Sequence, residues 1–210
     1  MTALRPPLTL LETRVLGTLV EKQRTVPDTY PLSLNALAAG CNQKTSRNPV
    51  LDAGEGEILE AMENLKGAGL AAETSGSRVA RFEHRLEKAL GVPTQASALL
   101  AVLMLRGPQT AGELRLNCER LHRFADISAT EGFLEELATR PGDPLVIELP
   151  RLPGSRENRW MHLLSGEPAP AGEPRPGDTP GREIDELKAR VTALEAEVAA
   201  LRRCLQPAGG

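Results

Sequence analysis

The side chains best equipped to recognise something in this chain are cationic. Arg120 and Arg123 follow a short helical stretch together with Arg115 and His122; Arg151, Arg156 and Arg159 lie in or beside a polar loop; Lys44 and Arg47 sit in an earlier loop. A guanidinium presents a planar fork of N–H donors that matches phosphate and carboxylate oxygens two at a time. Were Arg120, Arg123, Arg156 and Arg159 to converge, they would hold a phosphate or a partner's carboxylates. The bland alternative is a solvated surface on which Glu119 and Glu157 neutralise them, with Arg156 and Arg159 ordering their own loop.

Catalytic and metal chemistry find less support. Cys118 and His122 are four apart and could share a helix face, but two ligands make no site, and His84 and His162 have no obvious grouping with them. Cys41, Cys118 and Cys204 form no Cys-x-x-Cys pair, so reduced thiols are expected rather than a disulfide framework or a zinc ribbon. Neither a Ser-His-Asp nor a Cys-His arrangement emerges, nor a Gly-rich phosphate loop. The expectation is a protein that is not an enzyme and takes no cofactor or metal.

The elements that carry these residues recur. Thr9 and Glu12 make a capping box ahead of Leu11, Val15, Leu16, Leu19 and Val20, which predicts a helix over about 10–23. Ser33 caps a second, short helix through Leu34 and Leu37 that Gly40 should stop. A third helix over about 55–66 buries Ile58, Leu59, Met62 and Leu65. The period then changes to that of a hairpin, 70–74 and 78–83 around Ser75-Gly76-Ser77. The same order returns with Leu99, Leu100, Leu103 and Met104, a second helix opened by the Thr110/Glu113 capping box, and a third opened by Ser128/Glu131. A second hairpin, 145–149 and 159–164, surrounds the loop 150–158. The copies overlay at offsets of 84, 77 and 72, so that Leu37 and Cys41 meet Leu114 and Cys118. Three helices and a hairpin, twice, predict tandem winged helix-turn-helix domains, mainly α with small β-hairpins (α+β): residues 1–90 and 91–165. On this reading Trp160 is a core anchor of the second domain.

Residues 166–182 hold five prolines and four glycines with no apolar side chain larger than Ala, the composition of a disordered linker. Beyond it, Ile184, Leu187, Val191, Leu194, Val198, Leu201 and Leu205 alternate spacings of three and four. That seam belongs to a coiled-coil helix over 183–206, and its β-branched a positions over Leu d positions favour two parallel strands, hence a homodimer, with an antiparallel pair or a helix folded back on its own domains as the alternatives.

Charge limits the partners. Residues 1–90 hold 11 cations and 11 carboxylates, residues 91–165 hold 8 and 9, and residues 166–210 hold 6 and 8. No segment is an electrostatic magnet for nucleic acid, and five aromatics are too few for base-stacking platforms. Winged-helix proteins commonly lay the third helix in the major groove of DNA. Here the third helices carry Glu55, Glu57, Glu60 and Glu63 against Lys66, and Glu131, Glu135 and Glu136 against Arg140, so phosphate would repel them. Two readings follow: a DNA-binding regulator, ranked first on the habit of the fold, using Arg120, Arg123, Arg151, Arg156, Arg159, Lys44 and Arg47 on double-stranded DNA; and a scaffold whose winged-helix faces meet another protein. No signal-length apolar segment opens the chain and no run of about 18 apolar residues occurs, so a cytoplasmic, non-membrane protein is expected.

The strings Cys41-Asn42-Gln43-Lys44-Thr45-Ser46-Arg47-Asn48-Pro49-Val50 and Pro153-Gly154-Ser155-Arg156-Glu157-Asn158-Arg159-Trp160-Met161-His162-Leu163-Leu164 resemble signatures of the YceH-like family of uncharacterised bacterial proteins. The likeness covers roughly residues 9–166. Leu51 stands where the family has Met, Gly54 where it has a Ser helix cap, and Trp160 where Tyr is usual; loss of the cap should loosen the start of the third helix. The resemblance implies tandem winged-helix domains and no established activity.

Overall fold

A computed structural model describes residues 6–74, 79–151 and 154–168. The chain divides into two compact units, residues 1–167 and 168–210, and every described helix and strand belongs to the first. The Ser75-Gly76-Ser77 turn, the linker from residue 169 onward and the heptad seam from Ile184 to Leu205 lie outside the described residues. Among those that are described, the fold is mainly helical with two small antiparallel sheets.

Helix α1 spans Leu10–Thr25 and opens on the expected capping box: the Glu12 N–H donates to Thr9 Oγ1 at 3.2 Å and the Thr9 N–H to Glu12 Oε2 at 2.8 Å. After a 3-10 turn over Pro27–Thr29 come strand β1 (Leu32–Ser33), α2 (Leu34–Cys41), α3 (Glu55–Gly67), β2 (Ala71–Thr74) and β3 (Arg81–His84). The sheet order is β1-β3-β2, with Leu32 opposite Phe82 and Ala71 opposite His84. A short α4 (Leu86–Leu90) leads to α5 (Thr94–Arg106), α6 (Ala111–Asn117), α7 (Ile127–Ala138) and the hairpin β4 (Val146–Leu149) and β5 (Arg159–His162). In place of β1 the second copy has a single bridge. Gln109 exchanges both backbone hydrogen bonds with Trp160, at 3.1 and 2.7 Å.

The repeat therefore extends beyond what apolar spacing shows. Ser33 and Thr110 cap α2 and α6, and Cys41 and Cys118 are both buried and reduced. Phe82 and Trp160 are each the buried second residue of the last strand of their copy, and His84 and His162 end those strands, both buried. Trp160 is the core anchor expected of it, 8% exposed.

Several local expectations needed correction. Gly40 does not stop α2: it lies inside the helix, buried so tightly against α1 that a Cβ there would meet Thr18 Cγ2 at 2.6 Å. The cap of α7 is Asp126, whose Oδ1 accepts from the Ala129 N–H at 2.7 Å, not Ser128: the extended backbone at Asp126 starts the helix at Ile127 and leaves Ser128 inside its first turn. Leu59 is not on the buried face of α3 but 40% exposed. Gly54 leaves α3 without a side-chain cap, yet the Glu57 carboxylate accepts the Gly54 N–H at 2.8 Å, so half of the capping box survives.

One hydrophobic core runs through both copies. Its centre is the packing of α1 on α5, where Gly17 lets the helices close: a Cβ at Gly17 would lie 3.0 Å from Leu105 Cγ and 3.3 Å from the Ala101 carbonyl. Residues 96–105 of α5 are buried without a break, which an amphipathic surface helix never shows. The Leu8 N–H donates to the Leu164 carbonyl at 2.8 Å, joining the start of the unit to its end.

Candidate functional site

The seven cationic candidates separate once the backbone places them. Arg47 is inside. Its guanidinium donates to the Gly40 carbonyl from Nε and Nη2 and pairs with Glu21 at 2.6 and 3.1 Å, with its side chain wholly screened from solvent. Beside it Arg14, which sequence reasoning did not single out, is fully buried and donates to the Cys41 and Pro49 carbonyls at 3.1 and 2.6 Å. Both arginines thus bind the last carbonyls of α2, groups that have no partner within the helix and carry the negative end of its dipole. Burial lowers the Arg14 pKa, and Arg47 lowers it further. For Glu21, burial opposes the charged form, but the hydrogen bonds and charge of Arg47, with Lys22, outweigh it and hold the carboxyl below its ordinary value.

The first signature string is therefore a clamp. The Asn48 N–H donates to the Leu105 carbonyl at 2.8 Å, and Arg106 Nη2 donates to Ser46 Oγ at 2.7 Å, so the loop before α3 grips the end of α5. Asn42 exchanges two hydrogen bonds with the backbone of Ala53 and closes the loop on itself. Of its cations only Lys44 faces solvent.

In the loop between β4 and β5, Arg151 Nε donates to Asn158 Oδ1 at 3.1 Å and Asn158 Nδ2 to Glu148 Oε1 at 2.8 Å, a chain that orders the loop. Arg159 is half-buried, with an Nε that has no hydrogen-bond partner among the described residues. Arg156, Arg120 and Arg123 are exposed, and none of them joins an ion pair among the described residues, whether with Glu119, Glu157 or another carboxylate. Among the described residues no hydrogen bond links the turn carrying Arg120 and Arg123 to the hairpin that carries Arg156 and Arg159.

Cys118 Sγ lies 3.6 Å from the Ala98 carbonyl, and the His122 ring packs edge-on against Phe124 at 4.7 Å. Among the described residues no three His, Cys, Asp or Glu side chains gather as metal ligands would. Burial pushes the Cys118 thiol up to about 12 and the Cys41 thiol up to about 11. A cleft of about 820 Å³ lies between Leu8, Thr9, the end of α3, α4 and Asp143, but its inner carboxylate, Glu12, is spent on the Thr9 N–H and on Asn64 Nδ2 at 2.9 Å. No described helix is long and apolar enough to cross a membrane.

What sequence reasoning missed on the surface is apolar. Leu116 is 65% exposed on α6 and Ile127 is 46% exposed at the start of α7. A signal existed: Leu116 follows the buried Leu114 by two residues, a spacing that cannot share a helix face.

A family model described as a protein of unknown function, DUF480, matches residues 8–155, which take in the first copy with its clamp and the second copy as far as β4. The chain belongs to that family. A UPF0502 protein of Dechloromonas aromatica is 72% identical over 204 residues, covering 95% of each chain. UPF0502 proteins of Burkholderia pseudomallei and Cupriavidus necator are 59% identical over 203 residues and 57% over 216, covering 86% and 88% of those relatives. The YceH-like resemblance read from the two strings holds.

Proposed function

We propose that this chain is a non-enzymatic tandem winged-helix protein that works by holding proteins together and is itself joined into homodimers through the heptads from Ile184 to Leu205. Three helices followed by an antiparallel hairpin, twice over, support the winged-helix reading. The observation that carries the function is the character of the third helices. On α3, Glu55, Glu57, Glu60 and Glu63 are all exposed, and Lys66 is taken up by Glu63 and Glu73; on α7, Glu131, Glu135 and Glu136 are exposed. Affinity for DNA comes largely from neutralised phosphates. A face of four carboxylates placed in the major groove would add repulsion instead. Burial of Arg47 and the tethering of Arg151 further reduce the cations available for DNA.

The DNA reading keeps one specific support, the exposed Arg120, Arg123 and Arg156 outside any described ion pair. Retention of a mixed-sequence duplex by the full chain at about 50 mM salt, where phosphate contacts are strongest, decides between them. The protein-binding reading expects no salt-sensitive retention. Retention that falls steeply with salt and disappears in Arg120→Glu/Arg123→Glu would establish DNA as the partner.

A further inference from the structure

The two connections between second and third helices serve different ends. In the first copy Arg47 turns inward and Ser46 and Asn48 seize the end of α5. In the second copy the backbone bonds of residues 118–126 are local: Leu121 and His122 N–H groups donate to the Cys118 carbonyl, and Asp126 caps α7. This leaves an apolar surface uncovered. A Cβ at Gly112, one turn before Leu116 on α6, would lie 3.8 Å from Ile127 Cδ1, so Leu116 and Ile127 border one patch. Arg120 and Arg123 are exposed on the turn that joins its two helices. At the matching places the first copy has Ala39 and Glu55, so the repeat itself does not require this surface.

Its complement is present in the same chain. On α3, Leu59 is exposed, with Glu55 one turn before it, Glu63 one turn after and Glu60 beside it, a single apolar side chain in an acidic frame. We propose that α3 of one molecule docks on the α6–α7 surface of a second molecule of this chain, with Leu59 against Leu116 and Ile127 and the carboxylates of Glu55 and Glu60 facing Arg120 and Arg123. The proposal rests on the protein-holding reading and names the partner. Opposite charges fix orientation and reject wrong partners. Because two different patches meet, each pair leaves one of each unused, and assembly continues past two copies unless a ring closes.

The test uses the full chain. Sedimentation should show species larger than the dimer joined through the heptads, diminishing between about 50 and about 500 mM salt as the charges are screened. Glu55→Arg/Glu60→Arg and Arg120→Glu/Arg123→Glu should each weaken this association about tenfold or more, and the four changes combined in one chain should restore it. Mixing Leu59→Cys with Leu116→Cys, both in a Cys204→Ser background, should give a mixed disulfide under mild oxidant, whereas Leu10→Cys with Leu116→Cys should not. No mixed disulfide above that control, or no recovery on charge exchange, overturns the docking. The protein-holding reading fails by a different sign: salt-sensitive retention of duplex DNA that Arg120→Glu/Arg123→Glu removes.

Discussion

Trp160 and the two strand-end histidines show what single positions contribute. Trp160 is buried on β5 and gives both backbone groups to Gln109, so its side chain fills the core while its peptide holds the stub that replaces β1. Trp160→Ala should cost about 3 to 5 kcal/mol in denaturant unfolding, the range for removing a buried aromatic. Native fluorescence should be blue-shifted and poorly quenched. His84 and His162 are each held down to about 4 by burial, with an Nδ1 that finds no hydrogen-bond partner among the described residues. Above about pH 6.5 the imidazoles are neutral whether the chain is folded or not. As pH falls below that value the unfolded chain takes up protons that the folded one refuses, so stability falls until about pH 4, by up to about 1.4 kcal/mol per pH unit for each histidine. Unfolding measured between about pH 6.5 and 5, above most carboxylate titration, should show this slope, and His162→Leu should halve it. A flat profile would mean that water reaches the rings. Residue identity made Trp160 legible in advance. It could not reveal that Arg14 and Arg47 point inward, because an arginine's type and spacing do not say whether a helix end nearby has carbonyls to offer it.

At the scale of elements, α2 is held less by its eight residues than by what grips its end. A helix so short is marginal alone, and here two guanidinium groups occupy its last carbonyls. Arg47→Met should destabilise the protein by about 3 kcal/mol, the low end for breaking a buried ion pair, since Glu21 and the Gly40 carbonyl both lose their partner. Arg47→Lys should recover little of it, because one ammonium cannot span the positions that the fork reaches. Most element positions were readable from apolar period and capping residues. What escaped was made by tertiary contact: β1 is two residues long and exists only because β3 offers it an edge, and α4 is a single turn anchored by Leu86 and Leu90 in the core. Acidity of the third helices was plain from composition, whereas the spacing of Leu116 from Leu114 signals only that Leu116 is exposed, and its nearness to Ile127 beside Arg120 and Arg123 depends on tertiary packing.

Over the whole first unit, the crossing of α1 and α5 is the decisive contact. Gly17→Val places two methyl groups where a single Cβ already meets Leu105 and the Ala101 carbonyl, and should cost about 1 to 3 kcal/mol by overpacking. Since both copies share one core, heat should unfold residues 1–167 in one transition, with calorimetric and van't Hoff enthalpies equal. Two resolved transitions would show the copies to be separable. Truncation after Gly181 should shift sedimentation from dimer toward monomer if the heptads are what pair the chains. The unbroken burial of residues 96–105 bears on how such a molecule can change over generations. A copy with its own complete surface can be shuffled into other architectures as a portable part, but here α1 covers much of one side of α5. A gene fragment encoding the second copy alone would yield a helix with a bare apolar stripe, prone to clump with its own kind. The two copies are thus bound to be inherited together, and the solvent-facing loops, rather than the number of copies, are where variation costs least.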